Sequence, residues 1–92
     1  MSHYLRLTID LLGRAFPKGL SEVEYFGVLA VLYPHMSDRN LAEVMSSWLG
    51  RDRSVVYNDV LGIDGRSLDQ EVVDRVQQTL ANHGLEDWLR EA

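Results

Sequence analysis

The chain of 92 residues contains no cysteine, only two prolines and fewer basic than acidic side chains. The lack of cysteine excludes disulfide bonds and thiolate metal ligands, so the fold must be stabilised by packing alone. The formal net charge of −5 opposes nonspecific attraction to nucleic-acid phosphates and to anionic lipid surfaces. These features are typical of a small acidic domain that fits a reducing compartment.

A long uninterrupted apolar segment is also missing from the N-terminal region. Arg6, Asp10 and Arg14 interrupt the first apolar segment at regular intervals, unlike a secretion signal or a membrane-spanning helix. We therefore expect a cytoplasmic protein that does not enter a membrane. A chain of this length can bury one small core, so we expect a single domain over residues 1–92.

Apolar residues recur every three or four positions along most of the chain, and this spacing predicts amphipathic helices. The predicted helices span residues 3–15, 22–33, the segment between Ser37 and Gly50, about 57–63, and 68–82. The second of them is apolar on nearly every side and should be the most buried. The sequence therefore predicts an all-α fold, a compact single-domain bundle of about five short helices.

Turn and capping signals separate the first two predicted helices. Pro17 ends the first helix and Gly19 allows the chain to turn. Ser21 and Glu24 have the spacing of a capping box at the start of the second helix. Gly27 lies inside that helix, where glycine costs about 1 kcal/mol relative to alanine. We expect a second helix to cross closely at Gly27, and contact with a ligand is the alternative.

The segment 50–66 has the least regular pattern. Residues 55–57 have β propensity, but a strand here would have no partner strand elsewhere in the chain. We therefore predict a loop with a short helix near 57–63. Ser67 and Gln70 form a second capping-box pattern, which predicts the start of the last long helix.

Four segments in this order resemble a small family of mycobacterial and related actinobacterial proteins defined as a domain of unknown function: AFPKG, EYFGVLAVL, MSDRNLAEV and VVDRVQQTLANHGL. The similarity covers roughly residues 11–85 and leaves a short C-terminal tail, 86–92. The resemblance implies a monomeric bundle of five helices and supplies no catalytic or ligand-binding residue. This chain departs from the family after Gly84, where Leu85 and Glu86 replace tryptophan and proline, and it lacks the proline that usually precedes the last helix.

Motifs that carry catalysis or hold a cofactor are missing from the sequence. His3, His35 and His83 are isolated from one another and lack the spacing of metal ligands. No nucleophile turn, phosphate loop or dinucleotide fingerprint is present, and the paired carboxylates suit solvation and helix capping. We therefore predict no catalytic residue, no cofactor and no metal ion, and an enzyme is the least favoured function.

A DNA-binding regulator resembling helix-turn-helix proteins is the alternative function. Short turns join the central helices, and Arg39, Arg51, Arg53 and Arg66 lie in or near these turns. The face that would enter a major groove consists of Arg39, Asn40, Glu43, Ser46 and Ser47. Acidic residues are interleaved with these arginines and form local ion pairs with them. We therefore expect no binding of nucleic acid.

The remaining function is a noncatalytic protein–protein interaction module with an unidentified partner. Tyr33, Tyr57 and Trp88 are the candidate contacts, because aromatic side chains with a polar tip are enriched at interfaces. The alternative for each of them is a half-buried place in the core. For the tail we favour this alternative, because Leu85, Trp88 and Leu89 would share one face of a helical turn. We expect that face to pack on the first and last long helices of a monomeric chain.

Overall fold

Six α-helices account for most of residues 2–91, the part of the chain that the computed structural model describes. They are α1 His3–Ala15, α2 Glu22–Leu32, α3 Asp38–Leu49, α4 Arg53–Leu61, α5 Gln70–Asn82 and α6 Leu85–Glu91, with 3₁₀ turns at Tyr33–His35 and Ile63–Gly65. No strand occurs within residues 2–91. The prediction of an all-α fold is confirmed, with six α-helices where about five were expected.

Helix α2 is the centre of the hydrophobic core. Seven of its 11 residues are buried, namely Tyr25, Phe26, Gly27, Val28, Leu29, Val31 and Leu32. Helix α5 packs against α2, while α1 and α4 pack against α3. Buried side chains from all six α-helices join in one continuous core. Within the described range, no helix is long and apolar enough to cross a membrane.

Side-chain caps begin α2 and α3 at the predicted residues. The Ser21 hydroxyl accepts a hydrogen bond from the Glu24 amide, and the Glu24 carboxylate accepts one from the Ser21 amide at 2.9 Å. The Ser37 hydroxyl likewise accepts a hydrogen bond from the Asn40 amide. Gly50 ends α3 in the left-handed conformation, with φ of 68°. These local signals explain why the predicted bounds of α2 and α3 are nearly correct.

Helix α5 crosses α2 closely at its internal glycine. A Cβ atom added to Gly27 would lie 3.1 Å from the Val76 Cγ2 atom and 3.6 Å from the Val72 Cγ1 atom. The expectation of a crossing helix is therefore confirmed, and α5 is that helix. The missing side chain allows the two helices to pack at short range.

Replacing this glycine by alanine should destabilise the protein. Gly27→Ala gains about 1 kcal/mol of helix propensity, but the buried Val76 side chain must move to admit the new methyl group. Overpacking of this kind costs roughly 1–3 kcal/mol, so we expect a net loss of about 1 kcal/mol in urea unfolding. Gly13→Ala is the control, because it meets nothing within 4 Å and should gain stability. An equal gain in both variants would contradict the close crossing.

The start of α4 corrects the prediction for this part of the chain. The helix begins at Arg53, earlier than the predicted span of 57–63, because Asp52 caps it. The Asp52 carboxylate accepts hydrogen bonds from the amides of Ser54 and Val55, at 2.8 and 3.3 Å. These backbone hydrogen bonds hold the pKa of Asp52 below its usual range. The cap outweighs the β propensity of the residues that follow it.

The start of α5 is a second correction. The predicted capping box of Ser67 and Gln70 is wrong, because Asp69 is the residue that caps the helix. The Asp69 carboxylate accepts a hydrogen bond from the Glu71 amide at 2.9 Å. The helix therefore begins at Gln70, slightly later than predicted. In both corrections an aspartate directly before the helix is the cap that forms.

Candidate interaction surface

The three aromatic candidates for partner contact lie in different environments. Tyr57 is exposed on α4, Tyr33 is half-buried in the first 3₁₀ turn, and Trp88 on α6 is only 4% exposed. No ring contact joins any two of them within residues 2–91. The structure therefore does not assemble them into one site, and each has to be considered separately.

Trp88 is docked on the first helix of the same chain. Its indole ring stacks on the Tyr4 ring, with 5.5 Å between the ring centroids. Its Nε1 atom donates a hydrogen bond to the Thr8 hydroxyl oxygen at 2.8 Å. Leu85 is buried beside it, whereas Leu89 remains partly exposed. The prediction that the tail packs back on the chain is confirmed, and Trp88 has little surface left for a partner.

Tyr33 uses its polar tip within the protein. Its hydroxyl donates a hydrogen bond to the Asp64 Oδ2 atom at 3.1 Å, which connects the two 3₁₀ turns. This hydrogen bond to a carboxylate raises the pKa of Tyr33 above its ordinary value. The Tyr33 side chain thus mainly connects the two 3₁₀ turns.

Tyr57 differs from the other two, because it lines an open groove between α3 and α4. The groove has a volume of about 380 Å³ and is lined by Arg39, Arg53, Ser54, Tyr57 and Asn58. Tyr57 is 40% exposed. Leu61, one turn further along α4, is 53% exposed. The groove therefore combines the exposed Tyr57 ring with arginine and hydrogen-bonding groups, and Leu61 is an exposed apolar side chain one turn beyond the lining.

The sequence of α4 explains why these apolar side chains remain exposed. Val56 and Val60 are four residues apart and point into the core, and both are fully buried. The neighbouring apolar residues Val55, Tyr57 and Leu61 then lie outside the buried face. The large exposed apolar residues of the described chain are Val23, Val55, Tyr57, Leu61 and Leu89. Three of these five belong to α4, which makes it the helix with the most unpartnered apolar surface.

Two of the four arginines in or near the central turns, Arg51 and Arg66, contact side chains of α2. The Arg51 guanidinium contacts the Glu22 carboxylate at 3.2 Å and lies 4.2 Å from the centroid of the Tyr25 ring. The Arg66 guanidinium lies 3.5 Å from the centroid of the Phe26 ring. Both arginines therefore cover aromatic rings of the core helix. Neither of them lines the α3–α4 groove.

The other two central arginines line the groove. The Arg53 Nε atom lies 3.3 Å from the Glu43 carboxylate, and the pair connects α4 to α3. Arg39 forms no ion pair with any residue in the range 2–91. The residues that line the groove include two arginines and no acidic residue, and Glu43 pairs with Arg53. The lining is therefore basic on a protein whose net charge is −5.

The face proposed for a DNA major groove is partly unavailable. Ser46 is buried, Asn40 is half-buried, and Glu43 is engaged by Arg53. Arg39 and Ser47 are the exposed members of this face. A recognition surface of the predicted composition is therefore reduced to one exposed arginine and one exposed serine.

A buried tyrosine contact between α2 and α4 has no signal in the sequence. The Tyr25 hydroxyl donates a hydrogen bond to the Asp59 Oδ2 atom at 2.7 Å, and the side chain is fully buried. Burial and the neighbouring Asp59 carboxylate raise the pKa of Tyr25 well above its ordinary value. Asp59 and Asp64, which are close in the sequence, accept hydrogen bonds from two different tyrosines.

The raised pKa of Tyr25 should make the free energy of unfolding depend on pH in the alkaline range. In the unfolded chain Tyr25 ionises near its ordinary pKa of 10.0, whereas in the fold it keeps its proton to higher pH. Its contribution is complete below about pH 10 and is lost as the pH rises toward the folded pKa. We expect the free energy of unfolding to fall less steeply between about pH 9 and 11 in Tyr25→Phe than in the wild type. Tyr57→Phe, an exposed control, should follow the wild type, and identical profiles for all three proteins would contradict this assignment.

The three histidines lie at helix ends and do not meet as a set. The His83 Nδ1 atom is 2.7 Å from the Thr79 carbonyl oxygen, and the His83 carbonyl accepts hydrogen bonds from Arg14. His3 and His83 line a second open groove beside α6, whereas His35 lies near the Trp88 ring. Within residues 2–91 no three histidine or acidic side chains are grouped so that they could hold a metal ion.

Comparison of the chain with protein-family models, with curated proteins and with solved structures finds no match. The protein is therefore described by its own architecture. Residues 2–91 form an all-α fold of six α-helices around one core, with an open groove between α3 and α4. Membership of the actinobacterial family stays a prediction.

Proposed function

We propose that this protein is a noncatalytic protein–protein interaction module, cytoplasmic and monomeric, and that the α3–α4 groove is its contact surface. The observation that supports this proposal is the exposed apolar surface of α4 beside two arginines. Tyr57 and Leu61 are 40% and 53% exposed on the same helix. Tyrosine and arginine are among the residue types most enriched at the hot spots of protein interfaces.

The shape of the groove favours a protein segment over a small molecule. Binding sites for small ligands are concave and enclose most of the ligand surface. The α3–α4 groove is open, and polar or charged side chains from two helices form much of its lining. A chain segment that lies across the groove can contact both helices, because it does not need to be enclosed.

Affinity capture from cells that naturally produce the protein tests this proposal. The double substitution Tyr57→Ser and Leu61→Ser removes the exposed apolar group of the groove and that of the adjoining turn of α4, and it should lower recovery of the partner about tenfold. Val23→Ser is the matched control, because Val23 is exposed at 57% and lies on α2. Recovery that is equal for the wild type, the control and the double variant would reject the groove as the contact surface.

The alternative, a DNA-binding regulator, is favoured by one observation. Only three residues separate the end of α3 at Leu49 from the start of α4 at Arg53, as in a helix-turn-helix unit. Against it, Arg51 and Arg66 are held on α2 by Glu22 or an aromatic ring, and the carboxylate of Glu43 offsets the charge of Arg53. Too few unpaired cations remain for strong release of counterions from the phosphates.

We accordingly expect no binding of duplex DNA at physiological salt. Titration of labelled genomic fragments with the full-length protein provides the measurement. The expected result is no complex at protein concentrations of about 1 μM, well above the dissociation constants of sequence-specific DNA-binding proteins. A sequence-selective complex that weakens as salt is added would make the DNA-binding regulator the better proposal.

A further inference from the structure

The charges in the α3–α4 groove are arranged to receive anionic groups. Arg39 comes from the first turn of α3 and Arg53 from the first turn of α4. Arg53 contacts Glu43 through its Nε atom, and its side chain remains 55% exposed. A guanidinium group has five N–H donors, so Arg53 can bind a second carboxylate through its terminal nitrogens. Arg39 has no ion pair with any residue described, which leaves two positions for carboxylates.

An apolar surface adjoins these two positions. Tyr57 and Leu61 are four residues apart, and so they lie on the same face of α4. The Asn58 amide lines the same groove and offers a hydrogen-bond donor beside the Tyr57 ring. A ligand that suits this surface needs an apolar side chain between or beside its negative charges.

We propose that the α3–α4 groove binds an acidic, amphipathic segment of a partner protein. Carboxylates of that segment pair with Arg39 and Arg53, and a large apolar side chain packs against Tyr57 and Leu61. The inference rests on the proposed function and adds to it the chemistry of the partner. The apolar contact supplies most of the affinity, while the charges select acidic over neutral or basic segments.

The overall charge of the protein favours a short acidic segment over a nucleic acid. A long polyanion meets the field of the whole protein, whose net charge is −5. A short segment with two or three carboxylates meets mainly the local field of the groove, because other charges are screened beyond about 8–10 Å. The exposed apolar groups also have a counterpart in a protein segment, whereas the phosphate backbone of a duplex offers none.

Binding of short synthetic peptides to the full-length protein tests this inference by fluorescence anisotropy. Two peptide sets share the same leucine, phenylalanine and tryptophan positions, and they differ only in aspartate and glutamate against asparagine and glutamine. We expect the acidic set to bind about tenfold more tightly at about 0.1 M salt, where charges outside the groove are screened, and to lose much of this preference at about 1 M salt. Arg39→Glu should remove most of the preference.

Two variants separate the charge from the apolar contact. Arg75→Glu changes the net charge by the same amount at an exposed position on α5, so it should retain the preference. Tyr57→Ser should weaken both peptide sets by a similar factor, because it removes the apolar contact and keeps both arginines. Circular dichroism of each variant verifies that the helices are retained.

Several outcomes would overturn the inference. Equal binding of the two sets, or no binding of either at about 1 mM peptide, would show that acidic segments are not the ligand. An equal loss of preference in Arg39→Glu and Arg75→Glu would assign the effect to net charge. Tighter, Arg39-dependent binding of duplex DNA would assign the groove to nucleic acid. In the first two cases the proposed function still stands if recovery of the partner is lower in the Tyr57→Ser, Leu61→Ser variant than in the wild type. It fails if recovery from the two proteins is equal.

Discussion

Leu29→Ala should lower the free energy of unfolding by about 2–5 kcal/mol. Leu29 is fully buried in the middle of α2, the helix that lies at the centre of the core. Truncation removes the transfer energy of three carbon atoms and leaves a cavity, because close-packed neighbours relax only in part. Urea unfolding followed by circular dichroism measures this loss, and the wild type should show a strongly helical spectrum.

Val23→Ala is the matched control on the same helix. Val23 is exposed, so its truncation should change the free energy of unfolding by no more than about 0.5 kcal/mol. The contrast between the two variants reports the orientation of α2 and not only its helicity. A loss below about 1 kcal/mol for Leu29→Ala would place α2 at the surface, contrary to the structure.

Trp88→Ala should cost about 3–5 kcal/mol, close to the largest effect of any single truncation in this chain. The substitution removes the stacking on Tyr4 and the hydrogen bond that the indole donates to Thr8. It should also release α6, because a helix of seven residues has little stability without tertiary packing. Urea unfolding measures the loss, and hydrogen exchange should show that the α6 amides lose protection.

Leu89→Ala is the control for the tail, since Leu89 is on α6 and 38% exposed. Its truncation should cost less than about 1 kcal/mol. Trp48→Phe provides an independent measurement, because it leaves Trp88 as the only tryptophan of the chain. Emission from Trp88 should be blue-shifted and independent of protein concentration. A water-exposed spectrum, or a Trp88→Ala variant as stable as the wild type, would contradict docking of the tail.

The parts of the fold that the sequence predicts well depend on interactions between close neighbours. Ser21 and Glu24 are three residues apart, so their capping box can be read from the sequence and marks the start of α2. Glycine lowers helix stability wherever it occurs inside a helix, so Gly27 indicates a compensating contact from the sequence alone. The structure shows that α5 supplies this contact. Periodicity and local caps were sufficient for α1, α2 and α3.

The errors arise where two local signals compete. Asp52 caps α4 and Asp69 caps α5, but both lie beside residues that suggest another structure. At Asp52 the valines that follow favour a strand, and at Asp69 the spacing of Ser67 and Gln70 suggests an earlier start. In each case the aspartate forms hydrogen bonds with free amides at the helix start, and this energy decides the outcome.

The candidate surface could be predicted only in part, because it depends on contacts between distant residues. Tyr33, Tyr57 and Trp88 are equivalent candidates in the sequence. Trp88 is buried through a hydrogen bond to Thr8, 80 residues away, and Tyr33 is tied to Asp64, 31 residues away. Neither separation leaves a periodic signal. Tyr57 remains the exposed candidate because no such contact covers it within residues 2–91.

The measurement that tests the groove most directly is photo-cross-linking in cells that naturally produce the protein. A photoreactive phenylalanine analogue replaces Tyr57 in the full-length chain, and the control carries it in place of the exposed Gln77 on α5. We predict one dominant protein adduct at position 57, and no such adduct at position 77. No adduct at position 57, or the same adducts at both positions, would contradict the α3–α4 groove as the contact surface.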